Sequence, residues 1–182
     1  MKIIKTANPD LLIIEPQVFM DERGFFLESY QKEKFVAAGI VHEFVQDNHS
    51  SSVRLTLRGI HYQLAHPQGK LVRAVIGEIF DVAVDLRRSS PFFGQWVGAL
   101  LSADNKRELW IPPGFGHGFL VLSDRADVLY KATDYYDPDS ERCIRWDDPD
   151  LGINWPIPEG EIPLVSPKDR TGMSFDEVEV FV

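Results

Sequence analysis

A chain of 182 residues, 44% hydrophobic and 12% aromatic, is expected to fold as one domain spanning 1–182 around a single core. Its net charge of −9 argues against nucleic acid as the main partner, because phosphate backbones call for a basic face, yet leaves room for one small anionic ligand. A lone Cys143 rules out an internal disulfide, no apolar run approaches the roughly 20 residues that cross a bilayer, and Met1-Lys2-Ile3-Ile4-Lys5 lacks the apolar core of a signal peptide, so cytoplasm is the expected compartment.

In chain order, Leu11–Ile14 and Phe25–Tyr30 read as the first strands. Gln31–Ala38 is the helix candidate, with Phe35 and Val36 apolar and Gly39 placed as its C-terminal stop. Further strands are expected at Phe44–Asn48, Leu55–Gln63, Leu71–Ile76, Ile79–Leu86, Trp96–Ser102, Glu108–Ile111, Gly118–Leu122 and Ala126–Thr133. Gly77-Glu78 sits between two β-branched runs as a tight hairpin, since glycine supplies the positive φ that such turns require. After Asp147 the prolines 149, 156, 158, 163 and 167 predict irregular segments wrapped around the sheets, with no linker and no further domain. The expected class is all-β, a sandwich or jelly-roll barrel with a short helix and an irregular C-terminal segment.

Chemistry concentrates in three stretches. Leu57-Arg58-Gly59-Ile60-His61-Tyr62-Gln63 places His61 on the side where leucines point, although Gly59 can mark a bulge that re-aims its neighbours. Pro112-Pro113-Gly114-Phe115-Gly116-His117-Gly118 adds a second histidine after a glycine-rich turn, and Ala126-Asp127-Val128-Leu129-Tyr130 puts Tyr130 on an apolar face. Taken singly, each has an ordinary reading as a satisfied core residue. Pro112, Gly114 and His117 match the P-x-G-x-x-H turn of cupin barrels, whose metal sites use a His-x-His pair and a nearby glutamate. His61-Tyr62-Gln63 lacks the second histidine and Ala65 to Gln68 offers no carboxylate, so no barrel metal is expected. An imidazole, ordinarily titrating near pH 6.5, then suits proton abstraction beside a carbonyl, with Arg58, Lys70 and His117 available to hold an enolate oxygen. Surface charge is the competing reading for Arg58 and Lys70.

These residues and their order resemble the dTDP-4-dehydrorhamnose 3,5-epimerases. The likeness runs from Asp21-Glu22-Arg23-Gly24-Phe25-Phe26 through Phe44-Val45-Gln46-Asp47-Asn48-His49-Ser50, Leu57-Arg58-Gly59-Ile60-His61, Phe92-Phe93-Gly94-Gln95-Trp96 and Trp110-Ile111-Pro112-Pro113-Gly114-Phe115 to Arg142-Cys143-Ile144-Arg145-Trp146, and more weakly to Ser166-Pro167-Lys168-Asp169. The resemblance implies a jelly-roll cupin barrel, no cofactor and no metal, and a homodimer in which N-terminal segments cross to the partner. It implies His61 as the base, Asp169 as the carboxylate that orients it, Tyr130 as the acid on the opposite face, and Lys70, with Arg58 and His117, as the group that stabilises an enolate. Arg23, Phe26, Glu28, Gln46, Asp47, Asn48, Glu141 and Lys168 correspond to positions that hold the sugar nucleotide, with Arg23 and Lys168 suited to a diphosphate. Two other readings stay open: a relative that epimerises one carbon or isomerises the keto group, and a non-catalytic cupin that only binds a sugar nucleotide.

Overall fold

A computed structural model describes residues 1–182 as strands β1 (Lys2–Lys5), β2 (Leu12–Glu15), β3 (Val18–Asp21) and β4 (Gly24–Leu27), helix α1 (Lys32–Ala37), then β5 (Gln46–Val53), β6 (Thr56–Gln63), β7 (Lys70–Ile76), β8 (Glu78–Asp85), β9 (Trp96–Ser102), β10 (Glu108–Ile111), β11 (Phe115–Val121), β12 (Arg125–Ala132), β13 (Glu141–Cys143) and β14 (Leu164–Val165), and helix α2 (Pro167–Arg170). One sheet runs β1-β2-β10-β7-β12-β5 and the other β13-β6-β11-β8-β9, with β14 beside β6 and β3-β4 standing apart as a hairpin. Consecutive strands alternate between the two sheets across much of this order, which is the wiring of a jelly roll.

The main core lies between the sheets. Val72, Ala74, Leu109, Ile111, Ala126 and Val128 of the first sheet meet Ile79, Ala83, Leu101, Phe115, Phe119 and Val121 of the second. Each fully buried branched or aromatic side chain here removes enough apolar surface from water to favour folding by about 1.5–3 kcal/mol. The outer face of the second sheet is apolar too, and residues after Asp147 cover it: Leu151 and Val178 pack on Ile60, Tyr62, Val82, Val84 and Leu86. Buried Asp148 fastens that segment by accepting from the backbone N–H groups of Leu151 (3.1 Å) and Phe175 (2.9 Å). On the first sheet's outer face, Phe35 of α1 and Ile40 cover Ile14, Leu71 and Trp110. The Gln31 side chain caps α1 by accepting from the Lys34 N–H at 2.7 Å, and Gly39, at φ +91°, lets the chain turn away.

Several elements differ from the sequence reading. β5 begins at Gln46 and continues through Ser50 to Val53, a polar run without strand signal, because β12 offers it a partner at every position from Arg125 opposite Val53 to Ala132 opposite Gln46. Strand β4 stops at Leu27, and Tyr30 turns instead onto the rings of Phe35 and Phe44. Leu55 lies in a turn at φ 61° rather than in β6, and β11 starts at Phe115, so His117 is a strand residue. Strands β1, β3, β13 and β14 and helix α2 are two to four residues long, too short for a periodicity to show.

Candidate active site

One irregularity in the β6–β11 ladder sets the site. His117 pairs with His61 while Phe119 pairs with Arg58, so three steps on β6 match two on β11. Gly59 absorbs the extra residue at φ +120°, where a Cβ would lie 2.5 Å from Gly118 Cα and 2.7 Å from the His117 carbonyl oxygen. Strict alternation would send Arg58 and His61 to opposite faces. The bulge instead brings both to one pocket and leaves Ile60 and Tyr62 on the outer core.

That pocket opens at one end of the barrel. Its lining includes Arg58, His61 and Gln63 from β6, Lys70 from β7, His117 from β11, Tyr130 from β12 and Glu141 from β13. His61 Nε2 lies 2.5 Å from Asp169 Oδ1; the imidazole is 27% exposed and the carboxylate only 4%. Strand β14 runs parallel to β6 beside Thr56 and Leu57, and Ser166 then caps α2 by accepting from the Asp169 N–H at 3.1 Å, which delivers the acid beneath the imidazole. Burial alone would raise the Asp169 pKa, but the hydrogen bond and charge of His61, with help from Ser166 and Gly59, bring it below its ordinary value.

The opposite walls are also tuned. His117 Nε2 sits 3.0 Å from both Asp81 carboxylate oxygens, and burial lowers its pKa although Asp81 opposes the shift. Its ring stands 6.5 Å from that of Tyr130, roughly edge-on. Burial raises the Tyr130 pKa against the counteracting charge of Arg58, whose Nε donates to Ser52 Oγ at 3.1 Å. Desolvation lowers Lys70 to about 8, with Asp81 and Glu141 resisting. At the rim, the Tyr136 hydroxyl donates to Glu141 at 2.6 Å and Lys168 pairs with the same carboxylate. Burial would raise Glu141, but Lys168 and Tyr136 outweigh it and hold the group low; Tyr136 rises to about 12 chiefly because it donates to that anion.

Other sequence candidates lie elsewhere in this chain. Gln46 and Asn48 share a 3.0 Å hydrogen bond on the inner side of β5, and Gln46 accepts from the Tyr136 N–H at 2.9 Å. Asp47 points to the outer face and pairs with Lys131 at 2.9 Å. Arg23 is on the β3–β4 hairpin and paired with Asp21, Phe26 there is 70% exposed, and Glu28 just beyond pairs with Lys34 on α1. Three site groups escaped the sequence reading. Asp81 carried a signal, an acid on the strand face it shares with Ile79 and Ala83. Tyr136 and Ser50 carried none; Ser50 Oγ is buried in the pocket lining without a hydrogen-bond partner.

A jelly roll with a carboxylate-backed imidazole and a tyrosine in one pocket of the barrel defines a cupin with the equipment for acid–base chemistry. This chain belongs to the dTDP-4-dehydrorhamnose 3,5-epimerase family, whose model matches residues 5–177. It is 58% identical over 182 residues to the dTDP-4-dehydrorhamnose 3,5-epimerase of Pseudomonas aeruginosa, covering 100% of this chain and 99% of that one. Among solved structures it resembles the dTDP-6-deoxy-D-glucose-3,5-epimerase of Legionella pneumophila in complex with dTDP-4-keto-L-rhamnose, at TM-score 0.95 and 52% identity, covering 98% of this chain and 94% of that one. The dTDP-4-dehydrorhamnose 3,5-epimerase of Elizabethkingia anophelis gives TM-score 0.91 and 46% identity over 97% of each chain.

Proposed function

We propose that this chain inverts C3 and C5 of dTDP-4-dehydro-6-deoxy-D-glucose, giving dTDP-4-dehydro-β-L-rhamnose. The observation that carries the reading is the Asp169-backed His61 sharing a pocket with Tyr130 and the cations Arg58 and Lys70. The C4 ketone acidifies the hydrogens on C3 and C5, so the substrate supplies its own electron sink. Imidazole takes the proton from carbon, the C–H electron pair moves into an enolate, and Asp169 balances the imidazolium. Lys70, Arg58 and the His117 ring hold the enolate oxygen in a site already arranged for negative charge. Tyr130 then protonates the carbon from the other face, its phenolate recovers a proton from solvent, and the imidazolium releases one to solvent, which resets both groups. Two unlike groups on opposed faces are needed because one base returning its own proton restores the starting configuration.

The nucleotide lies toward Gln46, Asn48, Glu141 and Lys168. Arg23, Phe26 and Glu28 belong to a homodimer in which the exposed β3–β4 hairpin of one copy reaches the pocket of the other, which accounts for their distance from their own. No helix of the chain is long and apolar enough to cross a membrane, and an unpaired Cys143 fits a reducing cytoplasm. Incubation of the substrate in D2O tests the assignment: deuterium enters C3 and C5 with inversion at both, as read by NMR. Folded protein that leaves both positions protonated refutes it, and inversion at one carbon alone assigns the chain to the single-carbon epimerases.

A further inference from the structure

Behind the proposed base lies a sulfur that the epimerisation does not use. Cys143 on β13 pairs in register with His61, and its Sγ is 3.8 Å from Asp169 Oδ1. One donor atom each from His61, Cys143 and Asp169 fall within 4.8 Å of one another, and Asp169 is buried while the other two are partly accessible. This cluster sits at the edge of the barrel, apart from the Asp81–His117 pair. We propose that His61, Cys143 and Asp169 form an inhibitory chelate for a soft divalent cation of the zinc class.

The spacing supports this. With Zn–S near 2.3 Å and Zn–O near 2.1 Å, tetrahedral geometry separates the two donors by about 3.6 Å, close to the 3.8 Å between Cys143 Sγ and Asp169 Oδ1. The Nε2–Oδ1 pair, now 2.5 Å apart, has to open to about 3.4 Å, a movement that follows when a metal replaces the proton between them. The three donors would leave a fourth tetrahedral position to water. Thiolate and imidazole together favour zinc-like ions over magnesium or calcium.

Proton bookkeeping fixes the consequence. The S–H bond breaks, an S–metal bond forms, and the thiol proton goes to solvent, so binding strengthens as the pH rises. The metal also takes Nε2, which moves the proton of the neutral imidazole to Nδ1. Nδ1 has no hydrogen-bond partner in the protein and is the nitrogen left to accept a proton from carbon. Occupancy therefore removes the base's lone pair without displacing the sugar nucleotide.

The test is metal binding to the full-length protein, read independently of turnover. Isothermal titration with Zn2+ in a chelator buffer should show one ion per chain, and Co2+ should produce a thiolate-to-cobalt charge-transfer band. Cys143→Ser should abolish the band, weaken Zn2+ binding by at least about tenfold and turn over normally, with resistance to zinc concentrations that silence the parent. Cys143→Ala serves as the second variant if serine perturbs folding. Parent protein that binds Co2+ without a thiolate band, or a Cys143 variant that holds Zn2+ as tightly as the parent, overturns the proposal and leaves the epimerase assignment standing.

Discussion

Replacing Asp169 by Asn isolates what a buried carboxylate does for the imidazole it touches. The amide keeps the size of the side chain and can still meet His61 Nε2, but it removes a negative charge that is 4% exposed and 2.5 Å away. A hydrogen bond to a charged partner is worth about 1.5–3 kcal/mol against about 0.5–1.5 for a neutral one. In the proposed mechanism positive charge forms on His61 as the proton leaves carbon, so the loss falls on the barrier, and a difference of about 1–2.5 kcal/mol slows turnover by about 5- to 70-fold. The assay is deuterium uptake at C3 and C5 by NMR across a pH series, with circular dichroism to confirm folding. Folded Asp169→Asn working within about threefold of the parent refutes the argument.

Tyr130→Phe separates abstraction from inversion: deuterium should still enter the substrate from the His61 face, while epimerised product falls by roughly 100-fold or more, and equal loss of exchange and inversion contradicts the two-face scheme. Burial lowers the Lys70 pKa from 10.5 to about 8, so the ammonium proposed to steady the enolate is present below that pH and disappears above it. An alkaline limb in kcat/KM near pH 8 follows, absent in Lys70→Gln, and an unchanged limb in that variant removes Lys70 from the role. The same depressed Lys70 pKa costs folding stability below pH 8 and releases it between about 8 and 10.5, because the unfolded chain binds the proton more tightly there. Gly59→Ala meets both a φ of +120° and backbone atoms at 2.5 and 2.7 Å, and should cost well over 1 kcal/mol, lowering Tm by at least about 2–4 °C with activity falling further.

How much of this was legible in the sequence varied with the physics behind each residue. The strands from Leu71 to Ile111 announce themselves because both faces of each sheet are covered, so apolar residues dominate. β5 does not, since Ser50 and Ser52 face an interior where small polar side chains leave space, and pairing with β12 supplies what propensity withholds. His61, His117 and Tyr130 stand out as polar residues at inward positions, and Gly59 gives notice of the bulge. The meeting of His61 with Asp169 has no local signature, as 108 residues separate them and a two-residue parallel strand makes the introduction. Arg23, Phe26 and Glu28 were named through family likeness, and nothing inside a single chain explains their chemistry.

The segment after Asp147 makes the His61–Asp169 contact depend on a docking between parts of the chain far apart in sequence. Strands β6, β11 and β12 carry His61, His117 and Tyr130, whereas the carboxylate that meets His61 comes from α2. That contact exists only where β14 lies along β6 and Ser166 caps α2. A nick at the exposed loop around Ile162, 85% accessible, that frees α2 should therefore slow turnover at least as much as Asp169→Asn does.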